Sequence, residues 1–126
     1  MQVEIAPGEL VDKITILAIK RARIADAAKL KNVEHEYCIL TAILPPEFQT
    51  NPKLGELQAA LQAVNEIIWQ VEDDIRDHER RKDFGPSFVE LARAVYINND
   101  QRAALKREIN VALQSAIVEE KSYAAY

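Results

Sequence analysis

The chain has 126 residues, with 16 Lys and Arg against 20 Asp and Glu, a formal net charge of −4 at neutral pH. That length holds one hydrophobic core and is too short for two independent ones, so residues 1–126 read as a single domain. Apolar residues at 48% and charged residues at 29% fit a folded globular chain rather than a disordered one. Aromatics at 6% and three Gly argue against an all-β sandwich, and the acidic balance disfavours nucleic acid and anionic membranes as partners.

One cysteine, Cys38, allows no intrachain disulfide and no cysteine-built zinc site. No apolar run approaches the roughly 20 residues that span a bilayer. Met1-Gln2-Val3-Glu4 lacks the basic and apolar regions of a signal peptide. The expectation is a cytoplasmic protein without membrane association and without a cofactor.

Pro7-Gly8 punctuates the start, and from Glu9 the pattern turns helical. Leu10, Ile14, Leu17, Arg21, Ile24 and Ala28 stack on one face by 4-3-4-3-4 spacing, widened by Ile16 and Ile19. Val33, Tyr37, Leu40 and Leu44 follow; Asn32 either caps a second helix here or the first runs on with a kink. Pro45-Pro46 ends this arm, because a mid-helix proline removes a donor and clashes with the preceding turn.

The next arm carries the cleanest periodicity. Leu54, Leu57, Leu61, Val64, Ile68, Val71 and Ile75 form an a/d heptad seam of coiled-coil type. An arm of roughly 30 residues is about 45 Å long, and such a seam must be covered. The preceding arm has matching length, so residues 9–82 are expected to form a long antiparallel α-hairpin with Pro45–Pro52 at its tip. Gly85 is expected to stop the second arm and Ser87 to cap a short helix bearing Phe88, Leu91, Ala92 and Val95. Asn98-Asn99-Asp100 reads as a further break, with Asn99 or Asp100 capping a last helix that buries Ala104, Leu105, Ile109, Ala112, Leu113 and Ile117.

Two constellations stand out. Glu9, Asp12, Lys13, Lys20 and Arg23 run along the first helix. Their plain reading is a solvated face with a favourable Glu9–Lys13 i,i+4 pair; the functional one is an anion pocket in which Lys20, Arg21 and Arg23 cluster within one turn. Asn65, Trp69, Glu72 and Arg76 step by 4, 3 and 4 along the second arm. Here the choice is a Trp capping the core or a partner surface built on a rigid aromatic anchor.

Glu9-x-x-Asp12 and Asp74-x-x-Asp77 pair carboxylates, but the doubled-Glu pattern of all-α pyrophosphohydrolases and the di-iron Glu-x-x-His pattern are absent, so no metal site is expected. His78 reads as a polar end to the seam, His35 as surface, and Cys38 has no partner that would activate it. Arg80-Arg81-Lys82 oppose a helix dipole. Arg102, Lys106 and Arg107 lack the interleaved aromatics that stack bases. Phosphate-binding glycine loops and nucleophile elbows are also missing.

Gly8-Glu9-Leu10-Val11-Asp12-Lys13-Ile14-Thr15-Ile16-Leu17 resembles the opening signature of a small bacterial family of uncharacterised all-helical proteins. The blocks Phe88–Tyr96, Asn99–Lys106 and Ile117–Tyr123 are similar to that family too, so the likeness covers nearly the whole chain. It implies a helical domain and supplies no catalytic residues. The first helix is also similar to that of the small all-helical chorismate mutases in carrying Asp12, but the second Asp of their pattern is missing and Arg23 falls out of step. Those enzymes bind a dianion with Arg and Lys from several helices, a role that Lys20, Arg23 and Arg102 would mimic.

The expected fold is all-α: a long antiparallel hairpin with two shorter C-terminal helices packed on its open end. The expected function is a non-catalytic helical interaction or scaffold module, homodimeric, docking a protein partner through helix faces. Its candidate binding residues are Glu9, Asp12, Lys13, Lys20, Arg23, Asn65, Trp69, Glu72, Arg76, Arg102 and Lys106. The alternative is a small all-helical enzyme or binding protein for an anionic metabolite. That reading requires Glu9, Lys13, Lys20, Glu72, Arg76 and Arg102 to converge in one partly buried pocket.

Overall fold

The structure is a computed structural model that describes all 126 residues. It contains helices and no strands: α1 (Pro7–Arg23), α2 (Ala27–Ala42), α3 (Glu47–Thr50), α4 (Pro52–Arg81) and α5 (Pro86–Ala112). Prolines at N1 open α1, α4 and α5, where the missing N–H has no intrahelical partner to lose.

The first arm is two helices, and the break lies earlier than Asn32. α1 ends at Arg23, and Asp26 caps α2 by accepting the Lys29 N–H at 2.9 Å. α2 then folds back along α1. Arg21 reaches Glu34 and lies over the Tyr37 ring, while Leu10 and Lys13 share a groove with Leu40 and Ile43. The expected pairing of residues 9–44 with α4 is therefore replaced. α1 packs on α4 and α5, whereas α2 packs on α1 and not on α4.

A long antiparallel hairpin is present, but its arms are α4 and α5. Its turn differs in detail from expectation. Lys82, at φ 56°, takes the left-handed position after α4, and Asp83 accepts the Gly85 N–H. Gly85 precedes α5 as its N-cap, and Ser87 lies inside the helix.

The C-terminal half is one continuous helix of 27 residues, not two. Asn98, Asn99 and Asp100 sit within it because each side chain finds a partner. Asn98 donates to the Ala94 carbonyl at 2.8 Å, Asn99 accepts from Arg102, and Asp100 accepts from Lys121. Ile117 lies beyond the helix and is not buried.

The core sits where α1 crosses the lower half of the α4–α5 hairpin. Val11, Leu54, Leu57, Leu61 and Ile109 are its fully covered members, with Leu44, Phe48, Leu105 and Leu113 packed around them. The heptad seam of α4 is sealed at Leu54, Leu57 and Leu61 and only half-covered at Ile68 and Ile75. The change coincides with the end of α1, whose Arg23 reaches Gln70.

Candidate functional site

Three of the polar residues singled out from the sequence, Asp12, Asn65 and Lys106, are buried, and Arg102 closes over them. Asp12 and Thr15, one helical turn apart on α1, turn toward α4 and α5. Arg102 forks onto the Asp12 carboxylate, Nε to Oδ1 at 2.8 Å and Nη2 to Oδ2 at 2.5 Å. Asn65 on α4 donates through Nδ2 to Asp12 Oδ1 at 3.0 Å and to Thr15 Oγ1 at 2.9 Å, while the Thr15 hydroxyl donates to the Asp12 carbonyl. One carboxylate thus links three helices.

Burial alone would push the Asp12 carboxyl up. The hydrogen bonds from Arg102 and Asn65 and the charges of Arg102 and Lys106 outweigh it and hold the group below the usual carboxylate range. The Asp12 hydrogen bond raises the Arg102 pKa in turn.

One turn further along α5, Lys106 lies between two carboxylates, Glu9 at 2.7 Å and Glu119 at 2.8 Å. Desolvation works against its charge, but the two carboxylates prevail and hold its pKa above that of an ordinary lysine. Next to it Asn110 Oδ1 accepts the Gly8 N–H at 2.7 Å. That bond satisfies an otherwise orphaned donor at the start of α1 from a neighbouring helix. Glu119 belongs to the segment after α5, which folds back along that helix. Arg107 meets Glu120, Lys121 meets Asp100, and the Tyr126 ring meets Tyr96 edge-on at 5.2 Å.

Beside the Asp12 network a groove of about 470 Å³ opens where α1 ends. Ile16, Ile19, Ile68 and Trp69 give it an apolar floor, with Asn65, Glu72, Asp73, Arg76 and Arg102 around them. The i,i+4 constellation on α4 is therefore brought together with Arg102. Arg76 is bound to Glu72 on its own helix.

The remaining candidates go elsewhere. Glu9 pairs with Lys106 rather than with Lys13, and Lys13 lines a separate groove with Glu4, Glu36, Leu40 and Ile43. Arg23 donates to Gln70 and Arg21 pairs with Glu34, while Lys20 makes no ion pair. The six side chains that an anion pocket requires do not converge. No three His, Cys, Asp or Glu side chains gather in a metal-binding cluster, and no helix is long and apolar enough to cross a membrane.

Thr15, Asn110 and Glu119 belong to the network without a motif to announce them. The available signal was the run Gly8, Asp12, Thr15, Ile19, a 4-3-4 helical stripe whose small and polar members read as surface until a partner covers them.

A search of curated proteins finds no match to this chain, and a search of solved structures finds none. A family model matches it from residue 1 to residue 126. Over its whole length, the chain belongs to the family of unknown function DUF6165.

Proposed function

We propose that the protein is a non-catalytic helical interaction module that works as a homodimer and docks a protein partner through helix faces. The observation that carries this reading is the amount of surface left uncovered. The chain exposes 8526 Å², whereas a compact monomer of its mass exposes about 6,800 Å². Only 19 of 126 residues are buried, too thin a core for the length of its helices. The surplus of about 1,700 Å² is roughly twice what one partner buries in a standard interface of about 800 Å² per side. The extended ends, residues 1–6 and 113–126, contribute to it, and so do the helices.

The polar chemistry supports the same reading. Every buried side-chain nitrogen and oxygen has a hydrogen-bond partner within the chain. Arg102 and Lys106, the cations nearest the core, are neutralised by Asp12, Glu9 and Glu119. Such groups stabilise helix register rather than wait for a substrate.

Light scattering on the full chain tests the proposal. The expected result is a species of twice 14.3 kDa that dissociates on dilution, with Trp69→Ala shifting the equilibrium toward monomer by roughly tenfold or more, as expected of an aromatic anchor. A monomer at every concentration up to about 100 µM, a binding free energy near −5.5 kcal/mol, overturns the homodimer.

One observation favours a second reading, a site for an anionic metabolite. Arg102 lines the Trp69 groove, and its Nη1 has only a long contact, to Asn99 at 3.4 Å. Trp69 is the only tryptophan, so its emission reports directly on the groove. Saturable quenching by phthalate that Arg76→Gln abolishes would favour this alternative; an unchanged spectrum would remove it.

A further inference from the structure

Part of the uncovered surface lies on the far half of the long hairpin. α4 beyond Val71 and α5 before Lys106 contain no buried residue. Over this stretch no third helix covers the pair, because α1 ends beside Gln70; the only further cover is the segment after α5, which lies along α5 at Tyr96 and Asp100. A helix pair alone seals neither of its apolar faces, and a stable helical core needs a further layer. Below the step that layer is α1. At the step Ile68 and the ring of Trp69, and beyond it Ile75, are left half-covered.

We propose that the missing layer is the same stem of a second copy, packed antiparallel about a two-fold axis near residues 73–76 of α4, so that two stems make a four-helix bundle. This interface rests on the homodimer reading and specifies where that dimer forms. Two features select a second copy over an unrelated protein. The surplus surface of the whole chain, extended ends included, is large enough to supply one side of a standard dimer. The charges beside the groove are also self-complementary. Asp73 makes no ion pair, and Arg76, one turn away with 70% of its side chain exposed, is paired only with Glu72 of its own helix and keeps donors free for a second carboxylate. An antiparallel two-fold between them sets Asp73 of each copy opposite Arg76 of the other, the reciprocal pattern of an isologous interface. Like charges brought opposite one another disfavour association.

Charge reversal tests this without touching the core, because both residues are exposed. Asp73→Lys alone and Arg76→Glu alone are each expected to weaken dimerisation by roughly tenfold or more, measured by dilution in light scattering. The double variant Asp73→Lys, Arg76→Glu restores the pairs with their signs exchanged and is expected to recover the affinity. Ile43→Glu, exposed just after α2 and away from the stem, is expected to leave it unchanged. Circular dichroism establishes that each variant keeps its helices. A native dimer indifferent to both reversals overturns the stem interface and leaves the homodimer standing. Weakening by the single variants without recovery in the double variant overturns the two-fold pairing. A native chain that stays monomeric overturns the homodimer, and this interface with it.

Discussion

Asp12 is 1% exposed, and its carboxylate holds a guanidinium fork and an amide in place. Removing one member of such a buried pair costs more than the pair contributes, because the other charge is left uncompensated. Arg102→Ala is expected to destabilise the fold by about 3–5 kcal/mol, read from urea unfolding at neutral pH. Arg102→Lys should also be destabilised, since a lysine keeps the charge but not the fork. The pH dependence separates the two states of the site. In the native protein Asp12 is held below its unfolded pKa, so its stabilisation is complete above about pH 4 and is lost as pH falls through the lower folded value. In Arg102→Ala the largest opposing contributions to the burial of the carboxylate are gone, so the Asp12 pKa should rise and that variant should lose less stability on acidification than the native chain. Lys106 has the opposite sign. Held above its ordinary value by Glu119 and Glu9, it contributes fully below about pH 10.4, and the contribution disappears as pH rises through the folded pKa.

At the scale of the helices, Gly8-Glu9-Leu10 and Gly55-Glu56-Leu57 are matching tripeptides near the starts of α1 and α4. Gly8 lies against α5, where an added methyl would press into the Lys106 carbonyl and meet Asn110 Oδ1 at 2.8 Å. Gly55 faces open space. Gly8→Ala should therefore cost about 1–3 kcal/mol through overpacking, and Gly55→Ala should stabilise by about 0.5–1 kcal/mol through helix propensity. Thermal unfolding of the two variants measures both; equal effects would mean that α1 does not approach α5 closely. The start of α1, the proline stop after α2, and the seam of α4 were legible because each depends on residues within one or two turns. The partition at Asn98–Asp100 was not. Asn and Asp have low helix propensity, by about 0.7 kcal/mol each, but Arg102 and Lys121 supply side-chain partners from the same helix and from the segment after it. The break at Ile24–Asp26 had a capping residue, Asp26, as its local signal, and the competing Asn32 obscured it.

At the scale of the whole molecule, the chain is a step: three helix layers below Gln70 and a two-helix stem above it. The proposed dimer couples stability to association. The thermal midpoint should rise with protein concentration, because a partner that binds only the folded chain stabilises it by mass action; a midpoint constant over a hundredfold range would uncouple the two. The sequence by itself determined the all-helical class, the apolar faces of α1 and α4 and the grouping of Asn65, Trp69, Glu72 and Arg76 on one side of α4, since these follow from 3.6-residue periodicity within a single helix. It did not determine which helices pair. Both the Pro45–Pro52 turn and the Lys82–Gly85 turn are short enough to close a hairpin, and both candidate arms present an apolar face to the α4 seam. Tertiary structure decided between them. The choice depends on contacts remote in sequence, above all Arg102 with Asp12 and Asn110 with Gly8, whose geometry exists only once α1 lies against α4 and α5. The same physical reason turned Asp12, Asn65 and Lys106 from candidate surface groups into buried members of a closed network.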